Sequence, residues 1–398
     1  MNAKLQPARL HAAMRGHVER GDIPGIVTLI AHGDDVQVDA IGKMTVGDGP
    51  PMRRDTVFRI ASITKPIVAA ATMALVDDGR LHLDDAVDRW LPELADRQVL
   101  RHIGAALDDT VPAVRPITVR DVLNSSFGFG SVMAMPGTHP IQQPIAEGFL
   151  GGDGPPNRAQ TPATDEWMRR LDALPLMQQP GERWLYNTAS DVQGVLVERA
   201  SGQSLEDFLQ ERLFDPLGMT DTSFTVPAFK LDRLPGCYWL DDQSGKLEVF
   251  DSAANPDWSQ PPAFASGAGG LVSTVDDYHA FCRMLLDKGR GRGGRVLSEA
   301  AVDAMTRDQL TPAQRQGGDM FFGGHSSWGF GMAVNIAATK PWTVPGRFGW
   351  DGGFGTSAWS DPRNDFIGIL LTQRLMDSPE PPAVFTDFWT NAYRSLAG

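Results

Sequence analysis

Ser62-Ile63-Thr64-Lys65 places a hydroxyl and an amine three residues apart. On a helix, positions i and i+3 share a face, so the Lys65 amine can reach the Ser62 hydroxyl. A serine is a poor nucleophile until a base takes its proton, and a lysine serves as that base where burial or a neighbouring cation lowers its pKa. A helix start also offers backbone N–H groups to a developing oxyanion. With 20 Ser and 7 Lys in 398 residues, the spacing alone arises by chance in about one chain of three. Its context says more. The β-like stretch Thr56 to Ile60 precedes it, and an apolar helical pattern follows through Ala69, Ala70, Met73, Ala74 and Leu75, with Gly79 just past the end. A lysine in the first turn opposes the helix macrodipole; a purely structural one would favour the last turn.

Two further segments could do chemistry. Tyr186 is one of four tyrosines and follows the Pro180-Gly181 turn at the corner between an extended aromatic stretch and a helix. A phenol near a cationic lysine ionises more easily and can act as a general base, although Tyr186 read alone is equally a half-buried packing residue. Gly349 to Thr356 is glycine-rich and lies between two β-like runs. Such a segment lets backbone approach a ligand and could complete an oxyanion hole, or it is simply a turn. The commoner signatures are missing: there is no G-x-S-x-G, no H-E-x-x-H and no G-x-x-x-x-G-K-[ST]. The eight histidines form no i, i+4 pair, and no metal-ligand cluster stands out.

The elements that must hold these residues lie at both ends of the chain. Pro7 to Gly21 reads as a helix, and Ile26 to Ala31 and Val36 to Ile41 read as a hairpin. Gly331 to Ile336, Arg347 to Trp350, Thr356 to Ser360 and Phe366 to Thr372 are β-like, and Pro382 to Leu396 closes the chain as a helix. From about Leu83 to Pro262 the pattern turns to short helices, prolines and glycines. Thr118 caps Val119 to Leu123, Gly148 to Pro162 reads as a long surface loop, and Asp191 to Ala200 and Leu205 to Leu213 read as helices. The expected organisation is a discontinuous α/β domain, 1–82 with 263–398, and a mostly helical domain, 83–262, with the site in the cleft between them.

Charge and composition narrow the partners. A net charge of -13 repels phosphate backbones and anionic membranes, so neither nucleic acid nor a membrane is expected. Cys237 and Cys282 lie in apolar surroundings and are expected to be buried free thiols. Met1 to Leu10 holds no signal-like apolar run and no stretch is long enough to span a bilayer, so the expected location is the cytoplasm.

Taken together, these segments resemble the serine β-lactamase and penicillin-binding-protein superfamily, and most closely class C β-lactamases and family VIII carboxylesterases. The likeness runs through Phe58 to Lys65, Asp78 to Leu81, Ile117 to Leu123, Pro180 to Gly202, Pro216 to Met219 and Gly267 to Thr274. It implies an α+β fold, an antiparallel sheet flanked by helices plus a helical domain. It makes Ser62 the acylated nucleophile, Lys65 its partner and Tyr186 the family's Y-x-N tyrosine, with the N–H groups of Ser62 and Gly353 as oxyanion hole. No cofactor or metal is implied.

Two departures bear on substrate. The family's Tyr-x-Asn is here Tyr186-Asn187-Thr188, so Thr188 stands at the amide-bearing position. Where the family carries K-T-G, with a lysine that helps bind a substrate carboxylate, this chain has Trp350-Asp351-Gly352. These residues are expected to contact substrate. Arg347 is no replacement for the lysine, because on a strand it points to the face opposite Trp350. The expected activity is therefore a carboxylesterase on small neutral esters. The rivals are a β-lactamase or D-amino-acid peptidase, an amidase, an acyltransferase, and a non-catalytic binding protein on the same scaffold.

Overall fold

A computed structural model describes residues 4–151 and 158–396. Its centre is a seven-stranded antiparallel sheet drawn from both ends of the chain. Gly25–His32 (β1) and Asp35–Gly42 (β2) form the expected hairpin. Ser326–Trp328 (β3), Ala333–Asn335 (β4), Phe348–Gly352 (β5), Thr356–Asp361 (β6) and Phe366–Thr372 (β7) complete it in the order β3-β4-β5-β6-β7-β1-β2. The two ends meet where β1 pairs with β7, from Ile26 opposite Thr372 to His32 opposite Phe366. Every β1 residue but His32 is buried. That is why its sequence runs apolar without alternating: helices cover both faces of the sheet.

Ala8–Glu19 (α1), Thr64–Asp77 (α2), Val119–Leu123 (α3), Thr188–Ser201 (α4), Val275–Leu286 (α5) and Ala383–Arg394 (α6) are the helices that matter here. On one face α6 reaches the sheet through Trp389 Nε1, which donates to Ser357 Oγ at 3.0 Å, and Tyr393 Oη, which donates to Asp361 Oδ2 at 2.9 Å. On the other face Ser360 meets Cys282 of α5, and Tyr278 of α5 donates to Ile63 O at 2.8 Å just ahead of α2. Helix α2 is buried from Thr64 to Leu75, as an all-round apolar helix must be. It ends at Asp78, with Gly79 left-handed at φ 69°. Thr118 and Asp121 form a reciprocal capping box on α3.

The middle of the chain departs from the sequence reading in places. Leu205–Leu209 is helical, but Gln210–Phe214 widens into a π-turn before Asp215–Leu217. Cys237–Asp241 and Lys246–Asp251 form a hairpin inside the region expected to be mostly helical. Its second strand is largely exposed and shows no clean apolar alternation to reveal it. Strand β3 also went unread, being only three residues long. The expected loop from Gly148 to Pro162 falls partly outside the described residues; Gly148 itself closes the helix Gln142–Gly148. Both thiols are free and buried, and burial pushes each up to about 12. Among the described residues no helix is long and apolar enough to cross a membrane.

Candidate active site

Ser62 sits in a single 3-10 turn, Ala61–Ile63, that runs into α2. Ala61 adopts φ 47°, a left-handed conformation costly for alanine that fixes the turn's direction. The turn is clamped on several sides. Ile60 N donates to Leu271 O at 3.0 Å, and Thr356 Oγ1 donates to Ile60 O at 2.8 Å. A Cβ on Gly352 would lie 2.6 Å from Ile60 O, so only glycine lets β5 approach this close.

In the first turn of α2, Lys65 is 1% exposed and donates to Ser62 Oγ at 2.9 Å and Ala268 O at 2.6 Å. Tyr186, just before α4, donates to the same Ser62 Oγ at 2.9 Å. The ammonium lies 4.6 Å from the centre of the Tyr186 ring. Trp350 of β5 closes the group: its Nε1 donates to Tyr186 Oη at 2.9 Å. Hydroxyl, amine, phenol and indole thus form one connected network. Once one of its two neighbours has lost a proton, Ser62 can pass its own to that neighbour, and the indole N–H stabilises negative charge on the phenol oxygen. Trp184, Phe321 and Trp328 wall it, with Trp328 edge-on to Trp350 at 4.7 Å.

The other expected site residues divide. Gly353 and Trp350 line a cleft of about 890 Å³ together with Ser62 and Tyr186. Thr188 does not: it is fully buried and its hydroxyl donates to Leu150 O at 3.0 Å. Its neighbour Asn187, at φ 79°, lines the cleft instead. Gly352 packs under the Ser62 turn rather than against the cleft. Asp351 is on the face of β5 away from Trp350, where Ser357 Oγ donates to it at 2.5 Å and Trp359 Nε1 at 2.9 Å. Burial raises its carboxyl above the usual range. Asp351 borders the cleft as expected, but its carboxyl is held by these two donors rather than turned to Ser62.

Sequence reasoning missed Asp191. It lies in the first turn of α4, wholly buried, and accepts from Ser266 Oγ at 2.7 Å and from Ala268 N at 3.0 Å. The Ala268 carbonyl receives the Lys65 ammonium, so Asp191 fixes the segment that holds the lysine. Burial raises its carboxyl, opposed by these hydrogen bonds and the charge of Lys65. An acidic residue in a first helical turn fits the macrodipole, so nothing in the sequence marked it as more than that.

The Beta-lactamase family profile matches residues 10–385, and the chain belongs to that family. Protein Rv1367c of Mycobacterium tuberculosis is 38% identical over 380 residues, 92% of this chain and 90% of its own. Esterase EstB of Burkholderia gladioli is 30% identical over 402 residues, 96% of this chain and 94% of its own. Among solved structures EstCE1, described as a hydrolase with promiscuous acyltransferase activity, superposes with a TM-score of 0.80 over 98% of both chains at 24% identity. That likeness supports the α+β fold.

Proposed function

We propose that this chain is a serine carboxylesterase acting through an acyl-enzyme on Ser62, on esters that carry no charge beside the scissile bond. The observation that carries this reading is the double engagement of Ser62 Oγ by Lys65 Nζ and Tyr186 Oη, each at 2.9 Å. The step requires the Lys65–Tyr186 pair to hold one proton fewer than ammonium plus phenol; Ser62 Oγ then attacks the ester carbonyl as its proton passes to the deprotonated member, an amine nitrogen or a phenolate oxygen. The N–H groups of Ser62 and Gly353 receive the oxyanion. As the tetrahedral intermediate collapses, the pair returns the proton to the departing alkoxide, which leaves as the alcohol. Water then repeats the sequence on the acyl-enzyme and releases the acid. An indole at Trp350 offers an apolar wall and no cation, so a carboxylate next to the reacting carbonyl would be desolvated without a partner there. The resemblance to Esterase EstB points the same way.

The test is a panel of p-nitrophenyl esters beside a chromogenic cephalosporin, on wild type and Ser62→Ala. The expected result is Ser62-dependent ester cleavage with kcat/KM far above that for the cephalosporin. Equal efficiency on the cephalosporin would replace this reading with a β-lactamase. An added alcohol that captures the acyl group in place of water would assign acyl transfer.

A further inference from the structure

The cleft that holds Ser62 does not end at Trp350. It continues to Arg347, which precedes β5 and borders the same cavity. Arg347 is 3% exposed, and the rings of Trp359 and Trp389 lie 4.4 and 4.0 Å from its guanidinium carbon. Aromatic faces attract a cation without using its in-plane N–H groups. Two of them have no taker: Nε and Nη2 are enclosed without an acceptor. Asp351 and Asp361 act on Arg347 only through space, and each carboxylate is hydrogen-bonded elsewhere, Asp361 by Tyr393 and Asn364. Asp351 is held by Ser357 and Trp359, Asp377 pairs with Arg374, and Glu380 is exposed at the rim.

Beside it stands a second incomplete polar group. Asn335 N donates to Arg347 O at 2.8 Å across β4 and β5, and both side chains border the cavity. Asn335 is 2% exposed; its Nδ2 donates to Ser326 Oγ at 2.7 Å, and its Oδ1 has no partner. With the amide turned over, Ser326 donates to Oδ1 and the freed N–H joins the guanidinium as a donor. Lys340, over the ring of Trp342 at 5.6 Å, adds a further positive charge to this end. A buried arginine without an acceptor is costly in the free protein, and a bound anion relieves that cost.

We infer that Arg347, with Asn335, binds the carboxylate of an elongated substrate whose ester group lies at Ser62. This rests on the esterase reading and deepens it: the substrate is neutral where it reacts and anionic at its far end. A planar carboxylate suits the guanidinium fork, and the charge-assisted hydrogen bonds it forms are the strong kind. Trp350 sits against Tyr186 and Arg347, ahead of β5, against Trp359 and Trp389, so Arg347 serves the remote end of a ligand and not the position of the family's lysine.

The experiment uses two series of increasing chain length, p-nitrophenyl half-esters of linear dicarboxylic acids and acetate esters of ω-hydroxy acids. Each is assayed beside its neutral methyl-capped twin. In wild type the ratio of kcat/KM, carboxylate over neutral, should peak at one length in one series, at about tenfold or more, and collapse towards one in Arg347→Gln. The ratio cancels any general loss of activity in the variant. If Arg347→Gln fails to fold, Asn335→Asp puts a carboxylate beside the guanidinium and must lower the same ratio. Calorimetry of the free dicarboxylates on Ser62→Ala reads the site without chemistry: binding is expected, and its loss on adding Arg347→Gln or Asn335→Asp. A ratio at or below one at every length, or an equal ratio in wild type and variants, overturns the assignment. Were wild type inert on both twins, the esterase reading would fail while calorimetry still decided Arg347.

Discussion

The two ends of the cleft differ in how their polar groups are spent. Around Ser62 each reacting group finds its partner within the protein: Lys65 and Tyr186 on the serine oxygen, Trp350 on the phenol, Ala268 on the ammonium, Asp191 behind it; only the indole N–H groups of the walling Trp184 and Trp328 are left without one. Around Arg347 the guanidinium Nε and Nη2 and the Asn335 amide oxygen are enclosed with nothing to bind. A closed network is already arranged for a reaction and needs only a substrate carbonyl placed in it. An open one pays desolvation in advance and recovers it when a ligand arrives. One short stretch serves both: Trp350 on β5 meets Tyr186 at the reacting end, and Arg347, just before β5, lies at the other.

If the Ser62 end is a closed reacting unit, Ser62→Ala gives the largest effect. Turnover of activated esters should fall by about a thousandfold or more while far-ultraviolet circular dichroism stays that of wild type. A folded Ser62→Ala protein with near wild-type esterase rates would break the comparison at its first term. Next in size are Lys65→Ala and Tyr186→Phe, each expected to lower kcat by about a hundredfold or more. Because both act on one oxygen, the double variant should be little worse than the worse single one. Additive losses would mean two independent contributions and no shared relay.

Asp191 tests how far the closed unit extends. Asp191→Asn can still accept from Ser266 and the Ala268 amide, but it removes the buried negative charge near Lys65. The expected loss in kcat is about tenfold with little change in KM, and the pH profile of kcat should move. Stability goes the other way. In the fold this carboxyl sits above its ordinary 3.8, so the folded state holds the proton more tightly than the unfolded chain. That contribution is complete below about pH 4 and is lost as pH rises through the folded value. Asparagine does not titrate, so the stability of Asp191→Asn relative to wild type should increase from about pH 4 to pH 7 in denaturant melts. A purely structural Asp191 would leave the kcat profile where it is.

Trp350 marks the boundary between the ends. Trp350→Lys restores a cation beside the reacting carbonyl and removes the apolar wall. It should narrow the gap in kcat/KM between a neutral ester and a cephalosporin, by about tenfold. An unchanged gap would show that something other than charge sets it.

Much of this was legible in the sequence because it depends on local spacing. The Ser62–Lys65 interval, the glycine after α2, the Thr118 cap and the β1–β2 hairpin are each fixed by residues a few positions apart. Strand β7 was readable end to end because it is a bare apolar run, Phe366 to Thr372, buried on both faces. What could not be read depends on which face a side chain takes after folding. Asp191 matters because of Ala268, 77 residues away. Arg347 and Asn335 become neighbours only through the β4–β5 pairing. The orientation of Asp351, away from Trp350, follows from strand alternation, yet only the paired strand β6 supplies Ser357 and Trp359 to hold it.

Thr188 gives the smallest effect and the sharpest limit on the closed unit. By its place two residues after Tyr186 it stands where the family's amide meets substrate, but its hydroxyl is turned inward to Leu150 O and it forms no part of the cleft wall. Thr188→Val keeps nearly the same shape and removes only that donor. The Leu150 carbonyl then loses a partner in a buried setting, which should cost about 1–3 kcal/mol of stability, read as a lower midpoint in urea with an unchanged slope. Steady-state constants for neutral esters should stay within about twofold of wild type, because no atom of the Ser62 network moves. A tenfold fall in kcat with unchanged stability would place the Thr188 hydroxyl in contact with substrate, and the reacting end would have to be redrawn to include it.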